Sequence, residues 1–316
     1  MQQSLILDQG GPAGLRTWLS ALTIGAPQRV GELTLVPLLH SRVVQQADIL
    51  IEEAISQGQL DIVEQGSAAV QQVLARNRGD SDVLVLEGDT LIGCKQNRMV
   101  AWSVLVGART TAPVSVGCME RGRWGRAGPA FMPGEMMVDP HIRRRSKRET
   151  SASVARLGGP RLDQNRAWRD VNCKLREWKI SSGTDDYHAG LLARIADTRA
   201  RLRHIKPAAA QVGVIALHQD RLLGLEAVAH PKTWDVLARR ALPAYTLGAE
   251  SARLDPEFRT LRGQSPGEWL AAIVKGASTA RLARGRGYDI VITADGVTGS
   301  CLWHEGAARH VTAFAA

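Results

Sequence analysis

The sequence has few of the residues and patterns by which several large classes of protein are recognised. Its only cysteines are Cys94, Cys118, Cys173 and Cys301, and no two of them form a CxxC pair. This argues against a disulfide framework and a zinc knuckle, and it predicts reduced thiols. No apolar run approaches the roughly 18 residues of a membrane span, and the first residues lack the basic and apolar regions of a secretory signal. We therefore expect a cytoplasmic protein.

Common catalytic and nucleic-acid-binding motifs are also missing from the sequence. It contains no GxSxG, HExxH, P-loop or GxGxxG pattern, and its histidines and cysteines are too sparse to suggest zinc. It lacks the stacking aromatics of an RNA-binding sheet and the spacing of a helix-turn-helix or zinc finger. No motif therefore assigns a reaction, and the candidate functional residues are those of the polar segments.

Positive charge is concentrated in one stretch of the chain. The 316 residues are 44% hydrophobic and 22% charged, as in a folded protein of one large or two modest domains, and the net charge is +9. Residues 121–148 hold a large share of the excess, with eight cations against Glu135 and Asp139. This basic stretch fits either a solvated loop that keeps the protein soluble or a surface that binds an anion.

Short strands dominate the first part of the chain. Apolar or alternating runs separated by turn residues occur at 33–38, 60–63, 70–74, 83–86, 99–106 and 113–118, and a short helix is expected over 48–57. This spacing predicts a β-rich, sandwich-like N-terminal half covering 20–125.

The apolar period changes after the basic stretch. Trp168, Val171, Leu175 and Trp178 form the stripe of an amphipathic helix, and a second helix is expected over 186–206. A hairpin over 212–229, a helix from Pro231, a capping box at Ser265–Glu268 and terminal strands follow. The sequence thus predicts an α+β fold, in which 126–150 is a basic Gly/Pro-containing connector and 151–316 is an α+β part with antiparallel hairpins.

Candidate chemistry begins in the segment LVLEGDTLIGCKQNRMVAWSVLV. If the buried strand at 84–86 continues, Glu87 and Asp89 project from the same face because successive side chains alternate. Two carboxylates on one face are candidate ligands for Mg²⁺. Gly88 and Gly93 allow a positive φ or a close approach of the backbone.

The same segment contains four long polar side chains in succession, Lys95, Gln96, Asn97 and Arg98. Two cations and two amides suit the recognition of an anionic, hydrogen-bonding small molecule, such as a phosphorylated or carboxylated metabolite. The alternative is a hairpin whose polar tip forms internal salt bridges with Glu87 and Asp89.

A second polar cluster ends the segment PVSVGCMERGRW. Cys118 continues the apolar face of a strand, so it is expected to be a small core residue. Glu120, Arg123 and Trp124 follow at the end of that strand. They form either an ion pair with an aromatic anchor or the rim of a ligand site.

Four segments, together with the strand-rich end of the chain, resemble the bacterial ARG-and-Rhodanese-Phosphatase-superfamily-associated domain family. They are LEGDTLIGCKQNR, PVSVGCMERGRW, NRAWRDVNCKL and AQVGVIALHQDRLLGLEAVAHPKTWDVL. The resemblance covers nearly the whole chain from about Val30. Members commonly have alanine at the position of Cys94, which implies that this thiol is not catalytic. The family is named for its association with ADP-ribosylglycohydrolases and rhodanese-like phosphatases, so the resemblance implies binding or processing of ADP-ribose or another nucleotide-derived metabolite.

The favoured function is a cytosolic protein that binds or processes a phosphorylated nucleotide-derived metabolite related to ADP-ribose or NAD. The residues expected to hold phosphate are Lys95, Arg98 and Arg123, and those expected to read hydroxyl or base groups are Gln96, Asn97 and Glu87.

Two other functions compete with this one. In a metal-dependent hydrolase, Glu87 and Asp89, with Glu120 as a third candidate, would bind Mg²⁺, and a bound water would attack the substrate. In a non-enzymatic scaffold, the basic stretch 121–148 would dock an acidic partner protein or nucleic acid. No membrane partner is expected.

Overall fold

A computed structural model describes residues 11–41, 44–65, 71–123, 125 and 127–316 of the chain. It divides into two compact units. The discontinuous unit consists of Met1–Asp48 and Leu202–Ala316, and the central unit consists of Ile49–Arg201. Among the helices in these described ranges, none has the length and apolarity that crossing a membrane requires.

The first part of the chain is mostly strand, as predicted, because short apolar runs alternate there with turn residues. In chain order its described elements are α1 (Pro12–Ser20), β1 (Thr23–Ile24), β2 (Gln28–Val30), β3 (Leu33–Leu39), β4 (Ile49–Leu50), α2 (Ile51–Ser56), β5 (Leu60–Glu64), β6 (Gln72–Asn77), β7 (Val83–Val85), β8 (Thr90–Cys94), β9 (Arg98–Val100), β10 (Val104–Val106), β11 (Thr111–Cys118) and β12 (Ala127–Pro133).

The second part mixes helices and antiparallel strands, which confirms the α+β class. Its elements are α3 (Pro140–Leu157), α4 (Gln164–Glu177), α5 (Tyr187–Arg201), β13 (Gln211–His218), β14 (Arg221–Val228), α6 (Pro231–Ala252), α7 (Pro256–Arg259), α8 (Pro266–Gly276), β15 (Ala277–Leu282), β16 (Tyr288–Ala294), β17 (Val297–His304) and β18 (Ala307–Ala315). The expected amphipathic helix is α4, and the second helix, α5, ends earlier than expected. The capping box opens α8, where Ser265 Oγ accepts a hydrogen bond from the Glu268 N–H.

The discontinuous unit is built on a nine-stranded antiparallel sheet. Strands run in the order β1, β3, β13, β14, β18, β17, β16 and β15, and β2 also pairs with β3. Leu15 of α1 and Trp269 of α8 are buried in one apolar core with Leu225 of β14. The strands at 23–39 therefore complete a sheet whose other members lie after residue 210.

The central unit contains two sheets that share one apolar core. The larger sheet has the order β12, β8, β9, β11, β6 and β5, and the smaller one has the order β10, β7 and β4. Val83 and Val104 of the smaller sheet are buried in the same cluster as Val73 and Val114 of the larger sheet. Two sheets that bury a common core have the arrangement expected of a sandwich.

The basic stretch differs from the expectation of a connector or solvated loop. Within the central unit, residues 127–133 form β12 and residues 140–150 form the first part of α3. Arg143, Arg144 and Lys147 are only 1%, 1% and 0% exposed. The solvated-loop interpretation is therefore wrong for these three residues. They belong to a helix, α3, and their side chains are buried despite their charge. The boundaries of the compact units also differ from the expected division at 126–150. Strand β3, from the first part of the chain, pairs with β13, from the second part.

Candidate functional site

The polar tetrapeptide 95–98 lies at the turn of the β8–β9 hairpin. Gly93 and Cys94 have φ values of 123° and 46°, in the left-handed region that a tight turn requires. A side chain at position 93 would press on the carbonyl oxygens of Ala127 and Ala130. The Gly93 N–H donates to Asn97 Oδ1 at 2.9 Å. The turn is therefore closed by its own asparagine, and Gln96 and Asn97 are buried.

Asn97 connects this turn to the end of β11. Its backbone N–H donates to Glu120 Oε2 at 3.1 Å, and its side-chain Nδ2 donates to Asp186 Oδ1 at 3.0 Å. Arg123 Nη2 donates to Asn97 Oδ1 at 3.1 Å and to Glu120 Oε2 at 2.7 Å. Arg123 Nη1 also donates to the Cys94 carbonyl at 2.6 Å. The structure thus brings together Asn97, Glu120 and Arg123, and much of their bonding capacity is used within the protein.

The N-terminus of α5 completes this polar junction. Asp186 caps the helix, since its Oδ1 and Oδ2 accept from the N–H groups of His188 at 3.0 Å and Ala189 at 3.3 Å. Asp186 also forms an isolated β-bridge with Glu120, whose Oε1 accepts from Thr184 Oγ1 at 2.8 Å. We call the assembled group the hairpin site; it consists of Lys95, Gln96, Asn97, Glu120, Arg121, Arg123, Thr184, Asp186 and His188.

Glu120 is held as a carboxylate by its neighbours. Burial raises the pKa of its carboxyl group, but hydrogen bonds from the Arg123 guanidinium, the Asn97 N–H and the Thr184 hydroxyl outweigh burial and lower the pKa overall. Glu120 is only 3% exposed. A buried, ionised carboxylate with four donors around it is suited to bracing the hairpin.

His188 is a member of the site that the sequence interpretation used only as a helix position. Burial lowers the pKa of its imidazole, against the opposing charges of Asp186, Glu135 and Glu120. The ring is thus neutral at neutral pH, and its buried Nδ1 has no hydrogen-bond partner among the described residues. The sequence signalled only the start of the helix, because the aspartate at 186 is a favoured N-cap residue.

Gln96 is the most unusual side chain of the site. It is 0% exposed, yet its Oε1 has no hydrogen-bond partner within the described ranges. Its Nε2 makes one long bond, of 3.4 Å, to the carbonyl of Arg121. Buried amides are normally satisfied, because an unmade buried hydrogen bond costs roughly 1–3 kcal/mol. Gln96 Oε1, without a partner among the described residues, is therefore an exception among buried amide groups.

The cations near the turn differ in their exposure and in their partners. Lys95 is half-buried, and its ammonium group forms no ion pair with a described residue. Arg121 is exposed, with its guanidinium 5.6 Å from the centroid of the Trp168 ring. Arg98 points elsewhere, toward Cys118 Sγ and toward Glu64 Oε1 at 3.7 Å.

Cys118 is fully buried, in line with the expectation of a core residue. Burial raises the pKa of its thiol, although the neighbouring Arg98 charge lowers it. The thiol is therefore protonated at neutral pH, and a nucleophilic role has no support here.

Glu87 and Asp89 lie apart from the hairpin site and do not share a face. Strand β7 ends at Val85, so the alternation expected through 87–89 is wrong. Glu87 accepts from Arg143 Nε at 3.2 Å and Nη2 at 2.9 Å, and Lys147 Nζ lies 3.7 Å away. Asp89 Oδ2 instead turns back to accept the N–H of Leu86 at 2.9 Å. The interpretation in which the 95–98 turn pairs with Glu87 and Asp89 is also wrong, since Glu87 pairs with α3.

The positive φ of Gly88 explains how α3 reaches this turn. Gly88 has a φ of 91°, and a side chain there would collide with the Arg143 guanidinium. In the described part of the chain, no group of three or more histidine, cysteine, aspartate or glutamate side chains is placed to hold a metal ion. With Glu87 engaged by two cations, the pair Glu87 and Asp89 does not offer the open oxygen ligands that Mg²⁺ requires. Trp124, the remaining predicted residue, lies outside the described residues.

Cavities that the predicted residues do not line lie in each of the two units. One, of 250 Å³, is in the discontinuous unit and is lined by His218, Gln219, Arg221, Ala252, Arg253, Phe258 and Arg259. The other, of 480 Å³, is in the central unit and is lined by Arg148, Glu149, Ala152, Arg156, Arg161, Leu162 and Asp163. Neither of these two cavities contains a residue of the hairpin site.

Comparisons with known proteins give one match. No curated protein and no solved structure is similar to the chain. A family model, described as the ARG and Rhodanese-Phosphatase-superfamily-associated Protein domain, matches residues 21–314. This match covers nearly the whole chain and agrees with the resemblance of the 86–98 and 113–124 segments. The chain belongs to the family of the ARG and Rhodanese-Phosphatase-superfamily-associated Protein domain.

Proposed function

We propose that the chain binds a phosphorylated, nucleotide-derived metabolite of the ADP-ribose or NAD class at the hairpin site. The observation that carries the proposal is the buried Oε1 of Gln96, which has no hydrogen-bond partner among the described residues. An amide oxygen left unpaired in the interior destabilises the fold unless a ligand or water donates to it. The Nδ1 of His188 is a second buried polar atom without a partner in the same junction.

The charge of the site supports an anionic ligand. Arg123 is neutralised by Glu120 at 2.7 Å, so these two charges cancel locally. Lys95 and Arg121 add two cations, neither of which forms an ion pair with a described residue. Lys95 is half-buried, and a cation that is partly removed from water binds phosphate more strongly than one in bulk solvent.

The chemical groups that would satisfy the site occur together in nucleotides. An exocyclic amino group, a carboxamide or a ribose hydroxyl donates hydrogen bonds to an amide oxygen, and a phosphate carries the charge that Lys95 would bind. The association of the family with ADP-ribosylglycohydrolases, which the resemblance implies, favours the same class of metabolite. Glu87, Asp89 and Arg98 have no part in this proposal, because their charges are engaged elsewhere in the central unit.

Processing of the ligand is a second candidate, and the neutral imidazole of His188 favours it. A half-buried histidine whose pKa is lowered is neutral at neutral pH, so one ring nitrogen is free of a proton and is able to accept one from water or from a ribose hydroxyl. Binding and turnover are distinguished by following ADP-ribose and NAD by chromatography after incubation with the protein. Replacement of His188 by Asn is expected to abolish turnover while binding persists.

Binding is tested by thermal shift and calorimetry with ADP-ribose, NAD and AMP, with adenosine as the uncharged comparison. A ligand that binds the native state raises the melting temperature by mass action. We expect stabilisation by at least one of the three phosphorylated compounds and less by adenosine. The substitutions Lys95→Gln and Gln96→Met should each lower the affinity about tenfold, since a lost charge-assisted or buried hydrogen bond is worth roughly 1–3 kcal/mol.

The matched control is Lys275→Gln, which removes the same charge from an exposed position of the discontinuous unit. It should leave the affinity unchanged. A flat response to all four compounds, or equal losses in Lys95→Gln and Lys275→Gln, would contradict the assignment.

A further inference from the structure

The loop between α3 and α4 forms a surface cleft that the hairpin site does not use. Helix α3 ends at Leu157 and is capped by Gly158, which has a left-handed φ of 72°, and α4 begins after its cap, Asp163. The cleft beside this loop has a volume of 480 Å³. Three of its seven lining residues are arginines, namely Arg148, Arg156 and Arg161, and none of the seven is aromatic.

Hydrogen bonds from or to three side chains hold this loop in one conformation. Ser153 Oγ, on α3, accepts the N–H of Arg161 at 2.8 Å, and Glu149 Oε2 accepts the N–H of Asp163 at 3.2 Å. Gln71 Nε2 donates to the carbonyl of Leu162 at 2.8 Å. Because two side chains of α3 and the side chain of Gln71 fix its backbone, the loop presents Arg161 in a prearranged position.

The carboxylates of the cleft are already engaged. Glu149 Oε1 pairs with Arg166 Nη1 at 2.6 Å, and Asp163 Oδ1 accepts the N–H of Arg166 at 3.2 Å as the cap of α4. The exposed guanidinium groups of Arg156 and Arg161 form no ion pair with any residue that the structure describes. The cleft therefore has an excess of positive charge that an external anion would neutralise.

Cationic positions continue beyond the cleft along α4. Arg169 and Arg176 are exposed, and neither forms an ion pair within 4.0 Å with a described residue, although the charge of Arg169 opposes the burial that raises the pKa of the neighbouring Asp170. The two arginines are seven positions apart, so they lie on one helix face about 10 Å apart at 1.5 Å per residue. A small anion would occupy the cleft alone, whereas a polyanion would neutralise both the cleft and the helix face.

We propose that the cleft and the exposed face of α4, formed by Arg156, Arg161, Arg169 and Arg176, bind the phosphodiester backbone of nucleic acid without sequence preference. Guanidinium groups match phosphate oxygens in two-pronged geometry, and arginine is the preferred cation for this contact. The lining without aromatic residues offers no platform on which bases would stack, so the backbone is the group recognised. This surface is independent of the hairpin site and of the metabolite proposed there.

The test is fluorescence anisotropy of the full chain with a labelled 20-nucleotide single strand, measured from 50 to 300 mM salt. The double variant Arg156→Ser/Arg161→Ser should weaken binding roughly tenfold at low salt. It should also reduce the slope of log affinity against log salt by about 1.4, since each phosphate contact on a single strand contributes roughly 0.7. The variant Arg169→Ser/Arg176→Ser, which leaves the loop untouched, should have a similar effect.

The matched control is Arg78→Ser/Arg109→Ser, which removes the same two charges from the central unit. These arginines are 67% and 70% exposed but pair with Asp61 and Asp80. Retained binding in the control and weakened binding in the two test variants support the proposal. The absence of binding at 50 mM salt, or equal weakening in the control, would overturn it. Displacement of the strand by polyglutamate at equal charge concentration would also overturn it, in favour of an acidic protein partner.

Discussion

Gln96 gives the sharpest prediction, because the fold and the proposed ligand place opposite demands on it. In the protein its side chain is fully buried, makes one long hydrogen bond of 3.4 Å and leaves Oε1 without a partner among the described residues. Methionine has a similar length and no polar group to satisfy. The change Gln96→Met removes a weak hydrogen bond worth about 0.5–1 kcal/mol and an unpaired buried acceptor that costs roughly 1–3 kcal/mol.

We therefore expect Gln96→Met to leave the free energy of unfolding unchanged or to raise it by up to about 2 kcal/mol. Affinity for the phosphorylated ligand should fall in the same protein, as in other sites that trade stability for function. Unfolding in urea, followed by tryptophan fluorescence, measures the first quantity, and calorimetry measures the second. A loss of stability above about 1 kcal/mol would show that the amide braces the hairpin, and the ligand assignment for Gln96 would be withdrawn.

A substitution of the neighbouring Asn97 should have the opposite effect on the free energy of unfolding. Its side chain accepts from the Gly93 N–H and from Arg123, and it donates to Asp186, each at 2.9–3.1 Å. Asn97→Ala leaves these buried groups short of partners, so we expect a loss of about 2–4 kcal/mol in the same urea experiment. An unchanged urea midpoint would refute the bracing network. The ligand-binding role expected for both amides is now proposed only for Gln96.

Three further outcomes are expected. Arg143→Met removes one partner of the buried pair with Glu87 and should lower the free energy of unfolding, measured by urea titration, by roughly 3–5 kcal/mol. An unchanged free energy would mean that the pair is exposed in solution. Because burial places the folded pKa of His188 below its ordinary value of 6.5, the unfolded state binds the proton first. The stability that neutral His188 contributes is complete above the ordinary pKa and declines as the pH falls toward the folded pKa. Melting curves measured from pH 7.5 to 5.5 should show this decline in the unmodified protein and lack it in His188→Asn. Iodoacetamide should modify the exposed Cys173 and spare Cys118, whose thiol pKa is raised by burial, and mass spectrometry of labelled Cys118 would contradict that.

The sequence by itself determined the features that depend on neighbouring residues. The stripe at 168–178 predicts α4, and the pair Ser265 and Glu268 predicts the start of α8. The 212–229 pattern predicts the β13–β14 hairpin. Such signals are local, because a helix period, a cap and a turn involve residues only a few positions apart. The α+β class followed from them.

Partners far apart along the chain were decided by the tertiary structure. Glu87 meets Arg143, 56 residues later, and Asn97 meets Asp186, 89 residues later. The expectation for Glu87 and Asp89 failed because it extended a strand past its end, and the expectation for the basic stretch failed because charge alone does not reveal burial. His188 joined the site only through the position of α5. A sequence pattern contains the period of each element but not which elements pack together. In this chain that packing decides which of the described polar groups are satisfied and which have no partner.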